Sequence, residues 1–243
     1  MQATHCYIVT GASKGLGKAL VERLTENTKN LVIGIARSPM EARPQFIGLE
    51  LDLADYEAIL MNRAAIFPKG PFDRVCLINN AGWIGDIAHN GYIDPEAISR
   101  IHRVNVIAPA LLMNEFMNQY DRLRGEKLVI NISSGAAGKV MDGWSGYGAS
   151  KAALNQMTRI AQYESDLKNR GFALYALSPG IIDTPMQETI RSASEDSFTN
   201  LEKFKSFKSD GSLRSPDDIA EKVMYLVEHF RDFPEVLQDV RKF

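Results

Sequence analysis

Short apolar runs that read as buried strands alternate along this chain with longer stretches of helical periodicity, and that alternation restricts it to one fold class. Residues 6–10, 31–36, 46–51, 75–78, 128–132 and 173–177 are apolar at successive positions, as strands covered on both faces are. Helical patterns occupy 18–26, 56–65, 95–118, 147–169 and 216–229. Such repetition builds βαβ units, hence an α/β fold in which a doubly wound parallel sheet carries helices on both faces. With 243 residues, 45% of them hydrophobic, a single domain spanning 1–243 can bury a core of that size. The alternation breaks at 181–213, an insert of short helices after Pro179-Gly180. It reads either as a lid that closes on substrate or as a structural cover.

The first strand runs directly into Gly11-Ala12-Ser13-Lys14-Gly15-Leu16-Gly17 and then a helix. Glycines there let the backbone turn sharply and approach a pyrophosphate, while the free N–H groups and positive dipole end of the helix face the anion. The spacing is GxxxGxG, not GxGxxG, so the phosphate reading rests on the strand–loop–helix context. Cofactor preference is a question of charge. An NAD site places an acid at the end of the second strand for the ribose hydroxyls, but this strand ends Ile35-Ala36-Arg37-Ser38. Arginine binds phosphate bidentately and stays charged. Together Arg37 and Lys14 predict a 2′-phosphate clamp and therefore NADP(H).

Tyr147 and Lys151 stand four residues apart, with Ser134 thirteen residues before the tyrosine. Positions i and i+4 share a helix face, and an ammonium beside a phenol of pKa about 10 favours phenolate. The spacing predicts a tyrosine that exchanges a proton near neutral pH, as the conversion of a carbonyl into an alcohol requires. A Tyr-x-x-x-Lys match alone is common in helices; its weight here comes from the glycine loop and Ser134.

Taken in order, residues 10–17, Asn79-Asn80-Ala81-Gly82, Asn105, Ser134, Tyr147, Lys151 and Ser178-Pro179-Gly180 resemble the short-chain dehydrogenase/reductase family over essentially the whole chain. That resemblance implies a Rossmann-type fold, a nicotinamide dinucleotide and hydride transfer between it and a carbonyl or alcohol. It further implies that Tyr147 protonates the carbonyl oxygen, Ser134 hydrogen-bonds it, Lys151 holds the nicotinamide ribose and Asn105 keeps a water behind the lysine. By the same matching, Asp52 and Leu53 meet the adenine, Asn79, Ala81 and Gly82 lie under the adenosine ribose, and Pro179, Gly180, Ile182 and Thr184 meet the nicotinamide. Helices 95–118 and 147–169 resemble those through which the family dimerises, so a homodimer is expected.

The C-terminal third resembles the sepiapterin reductase branch and its bacterial benzil reductase relatives. This implies a small dicarbonyl or pterin-type carbonyl substrate, with Asp239 anchoring a pterin ring. Trp144 and Met186 flank the catalytic motifs and read either as pocket lining, with Ser134, Tyr147 and Gly180, or as core filling. A 3-oxoacyl thioester or hydroxysteroid substrate, or a dinucleotide-binding sensor without turnover, are the alternatives. A sensor is expected to have lost Tyr147 or Lys151.

Composition excludes other classes. The formal net charge of −2 implies no attraction to nucleic acid or anionic membranes. Lys203, Lys205 and Lys208, interleaved with Phe204 and Phe207, read as the solvated side of an amphipathic helix. Cys6 and Cys76 fall in core strands without CxxC spacing, and His5, His89, His102 and His229 are scattered, so neither a disulfide nor a metal site is expected. Asn131-Ile132-Ser133 is a formal glycosylation sequon that ends a strand and is discounted. With no run of eighteen apolar residues and no leader ahead of the first strand, a cytosolic location without membrane association is expected.

Overall fold

A computed structural model describes residues 3–243. The first half runs β1 (His5–Thr10), α1 (Gly15–Thr25), β2 (Asn30–Ala36), β3 (Phe46–Glu50), α2 (Tyr56–Met61), α3 (Arg63–Ile66), β4 (Arg74–Asn79), α4 (Pro95–His102) and α5 (Ala108–Gln119). The second half adds β5 (Glu126–Ile132), α6 (Ser145–Leu167), β6 (Phe172–Ser178), α7 (Pro185–Arg191), α8 (Leu201–Ser209), α9 (Pro216–Glu228) and β7 (Leu237–Asp239). The strands form a seven-stranded sheet in the order β3-β2-β1-β4-β5-β6-β7, parallel at every pairing. The expected doubly wound parallel sheet is therefore what the chain builds. Strand order reverses between β1 and β4, where ligands of such sheets bind outside the carboxyl ends of the strands.

Alternation along each strand explains why the strands are apolar throughout. In β1, Tyr7 and Val9 pack with Leu20, Leu24, Val223 and Leu226 of α1 and α9 on one face. Cys6 and Ile8 face the other way, among Ile59, Leu112 and Phe116. With helices on both faces, the central strands are interior at most positions, whereas the edge strand β3 leaves Ile47, Gly48 and Glu50 exposed. Cys6 and Cys76 belong to opposite faces and are free.

Three elements differ from the sequence expectation. The helix expected over 95–118 is interrupted by a π-helical turn, Arg103–Ile107, which carries Asn105. The reason lies at Pro109: it has no N–H to give the Asn105 carbonyl in α-helical register, and the Ala108 N–H bonds instead to Arg103, five residues back. The helix expected over 56–65 divides at Asn62, whose backbone is out of helical range (φ −92°, ψ 5°). Finally, β7 adds a strand that the sequence did not announce. It is three residues long, partly exposed, and held only by pairing with the end of β6.

Asn79 also departs from expectation. Rather than facing a ligand, its buried side chain donates to Asn131 Oδ1 at 2.8 Å, and Asn131 donates in turn to Thr158 Oγ1 at 2.8 Å. This polar chain ties β4 through β5 to α6 inside the core. Replacing Asn131 with Leu strands the Asn79 amide, and leaving a buried donor unpaired costs about 1–3 kcal/mol. Urea unfolding of N131L should show a lowered midpoint of that size.

Candidate active site

Thr10 closes β1 at the reversal point, where its Oγ accepts the backbone N–H groups of Asn80 and Ala81, both at 2.9 Å. Asn80 returns the contact, its side-chain amide donating to the Thr10 carbonyl at 2.9 Å. These bonds fix the two loops that flank a cleft of about 940 Å³ running across the carboxyl ends of the strands. On one side the glycine loop enters α1. Gly11 and Gly15 adopt positive φ (66° and 53°), which glycine tolerates without a Cβ penalty. A Cβ on Gly17 would stand 2.1 Å from the Gly11 carbonyl oxygen, so Gly17 is a packing glycine that lets the helix start against the loop and does not itself line the cleft.

The helix start fits an anionic ligand. Lys14 occupies the N-cap position without a side-chain hydrogen bond, and no acidic residue lies in the first turn. The first amides of α1 are thus left to a ligand. Ser13, Lys14, Gly15 and Leu16 line the cleft beside Arg37 and Ser38 from the end of β2. Lys14 and Arg37 are both exposed there. Asp52 and Leu53 line the same end, and Asp52 is ion-paired to Arg100 at 2.7 Å. Burial works against the Asp52 charge, but the Ala54 N–H and the Arg100 and Arg37 guanidinium groups outweigh it and hold the carboxyl below its usual value.

On the other side, α6 delivers Tyr147 and Lys151 to the floor of the cleft, 8% and 4% exposed. The Lys151 ammonium stands 5.8 Å from the tyrosine ring centre and donates to the Ile132 carbonyl at the end of β5 at 2.8 Å. Ser133 and Ser134 follow in the same loop and both line the cleft, but the Ser133 hydroxyl is already committed, donating to Asn155 Oδ1 at 2.5 Å. The electrostatics differ from the sequence expectation. Burial raises the Tyr147 phenol above its ordinary value, with the Ser134 hydroxyl acting in the opposite direction, and burial pulls the Lys151 ammonium down to about 8. Desolvation outweighs the neighbouring charge, so Tyr147 is held as a protonated phenol: an acid ready to donate.

Asn105 does not reach the cleft. Its Oδ1 accepts the Trp83 N–H at 2.9 Å, and its amide donates to the Trp83 carbonyl at 2.8 Å and Ser150 Oγ at 3.1 Å. The side chain is fully committed to joining the loop after β4 to α6. A Cβ on Gly82 would lie 3.5 Å from Lys151 Nζ and 3.8 Å from Asn105 Oδ1, so the small residues of that loop admit the lysine.

Beyond the tyrosine, the cleft is walled by the segment between β6 and α9. Pro179, Gly180, Ile182 and Thr184 line it, with Met186 on α7. The base of this segment is clasped by backbone bonds from Arg214 to Ile181 (3.0 Å) and from Asp183 to Arg214 (2.9 Å). Its helices pack on the floor of the cleft. Trp144 stacks on Phe198 with ring centres 5.3 Å apart and meets Tyr147 edge-on at 5.5 Å. Asp142 latches it, accepting the Thr199 N–H and Oγ1–H at 2.8 Å each.

Asp239, expected to anchor a ligand, does not line the cleft. Its carboxylate is consumed by Arg241, through the backbone N–H at 3.0 Å, Nε at 2.8 Å and Nη2. It is Arg241 that lines the cleft. Sequence reasoning passed over Asn80, Arg100, Lys139 and Arg241 as site residues. For Asn80 a signal existed: strand alternation puts successive residues on opposite sides, so Asn79 and Asn80 could not both face the ligand.

The chain was compared with known proteins. A family model for short chain dehydrogenase matches residues 5–195. Benzil reductase ((S)-benzoin forming) of Bacillus subtilis is 35% identical over 226 residues, covering 91% of this chain and 93% of the relative. A sepiapterin reductase of Xenopus laevis is 28% identical over 202 residues, 74% of each chain. Among solved structures, a short chain dehydrogenase/reductase from Saccharomyces cerevisiae superposes with a TM-score of 0.82 at 26% identity, over 97% of this chain and 96% of the other.

The Asp142 latch is testable without any ligand. Asp142→Ala should remove the protection of the Thr199 amide in hydrogen exchange and speed proteolytic cutting near 195–200, while amides of α6 keep their protection.

Proposed function

The chain belongs to the short-chain dehydrogenase family, and we propose that it is an NADPH-dependent reductase of one carbonyl in a dicarbonyl or pterin-type substrate. The observation that carries this reading is the convergence of Tyr147, Lys151 and Ser134 in one cleft opposite an uncapped helix start flanked by cations. Similarity to benzil and sepiapterin reductases supports the substrate class. A bound nicotinamide supplies hydride to the carbonyl carbon. The residues of the chain do the rest. The glycine loop and the α1 amides hold pyrophosphate, and Lys14 with Arg37 takes a 2′-phosphate. Ser134 orients the carbonyl by donating to its oxygen, where negative charge develops. Tyr147 passes its phenolic proton to that oxygen as the alcohol forms. The resulting phenolate is stabilised by the Lys151 ammonium until a proton returns from solvent. Asn105 positions α6 by its three bonds.

The segment carrying α7 and α8 serves as the substrate-side cover of a single domain. No described helix is long and apolar enough to cross a membrane. Ile160, Tyr163 and Leu167 leave an exposed apolar stretch on α6, and we assign it to a homodimer contact.

Three outcomes test the reading. Tyr147→Phe should lower kcat with benzil by about 10²–10⁴-fold while NADPH affinity, read by fluorescence titration, stays within about twofold. Retained turnover would sink the mechanism. Lys151 is an ammonium below about 8 and loses its proton above it, so kcat/KM for reduction should fall as pH rises through that value; a flat profile to pH 10 would exclude the lysine. Arg37→Asp should weaken NADPH far more than NADH, and an unchanged NADPH/NADH ratio of kcat/KM would remove the clamp.

A further inference from the structure

We propose that the substrate carries an anionic group, a carboxylate at the end remote from the reacting carbonyl, received by Lys139 and Lys203 at the cleft mouth. The inference rests on the reductase reading of the site and deepens it. Its starting point is a charge asymmetry. The protein as a whole is slightly acidic, at −2, but the residues lining the cleft carry the opposite sign, and among the described residues the one carboxylate there is Asp52, paired to Arg100 at the far, glycine-loop end. The substrate end presents Lys139, Lys203 and Arg241 with no acid.

These three cations are not equivalent. Arg241 is neutralised by Asp239. On α8, Lys205 is bound to Glu202 at 2.6 Å and Lys208 to Asp183 at 2.6 Å. Lys203 has no carboxylate within 4.0 Å among the described residues, and it is the lysine of this helix that lines the cleft. Lys139, exposed, also has no carboxylate within 4.0 Å among the described residues. It follows the turn Gly135–Gly138 that begins next to Ser134, and it stands beside Val140, which is fully exposed at the cleft lining. Two free ammonium groups therefore come from two elements, one after the serine loop and one on the covering segment. Met141, Met186, Phe204 and Phe207 line the same cleft and belong to the apolar cluster that holds Tyr147, a wall for the body of the ligand. The arrangement orders a substrate from carbonyl through apolar body to anion. A cleft of one sign with low-dielectric walls also concentrates ligands of the opposite charge.

The test uses benzil, benzil-4-carboxylate and the methyl ester of that acid, with NADPH, on the wild-type enzyme and the double variant K139Q/K203Q. Two exposed ion pairs are together worth up to about a tenfold change in affinity. The double variant should lose about tenfold in kcat/KM for the carboxylate, through KM, and stay within about twofold for benzil and the ester. Raising salt from about 0.01 to 0.5 M should erase the wild-type preference for the acid, since such charges are screened within a few ångströms. Equal losses on acid and ester, or turnover of benzil and the ester without the acid, would overturn the anionic substrate and leave the reductase standing. No turnover of any of the three would overturn the reductase reading, and the anion with it.

Discussion

The Thr10 hydroxyl holds the site together. By accepting the amides of Asn80 and Ala81 it keeps the ends of β1 and β4 side by side, at the one place where strand order reverses and the connecting chains leave toward opposite faces. Those amides follow the end of a strand and have no ladder partner; the Asn80 N–H is shared between the Ile78 carbonyl and Thr10, and the Ala81 N–H goes to Thr10. The glycine loop, the loop of Gly82 and the approach of Lys151 all take their positions from that junction.

Burial, more than charge pairing, sets the chemistry. Tyr147 and Lys151 share a helix face, but both are buried, Tyr147 in the cluster that Trp144 forms with Phe198 and Phe204 of the covering segment. A buried phenol resists ionisation and a buried ammonium gives up its proton more readily. The two effects together keep the tyrosine protonated, the state an acid catalyst of carbonyl reduction needs. The fold also uses its polar side chains economically. Asn105 is spent on joining a loop to α6, and Asn79 with Asn131 on joining two strands to that helix.

Much of this was legible in the sequence because it depends on local rules. The buried parallel strands follow from consecutive apolar residues, the glycine loop from the steric needs of a tight turn, and the shared face of Tyr147 and Lys151 from helical period. Of the residues expected at the site, Gly11, Lys14, Arg37, Ala81, Ser134, Trp144, Thr184 and Met186 line the same cleft as the tyrosine. Gly17, Asn79, Asn105 and Asp239 do not, the two asparagines for a nonlocal reason and the other two for a local one. Gly17 is needed against the Gly11 carbonyl, the two asparagines bond to partners 22 or more residues away, and the Asp239 carboxylate is claimed by Arg241.

The sequence by itself determined the class of sheet and the spacing of the groups on α6, since each depends on residues within a few turns of one another. Only the tertiary structure decided which charges remain free. Lys203 and Lys208 lie five residues apart on one helix, yet one faces the cleft unpaired and the other is held by Asp183. That outcome depends on how α8 lies against the chain entering α7, a long-range contact that no periodicity records. The interior environment of Tyr147 has the same origin, because the residues that exclude water from it lie some fifty positions further along the chain.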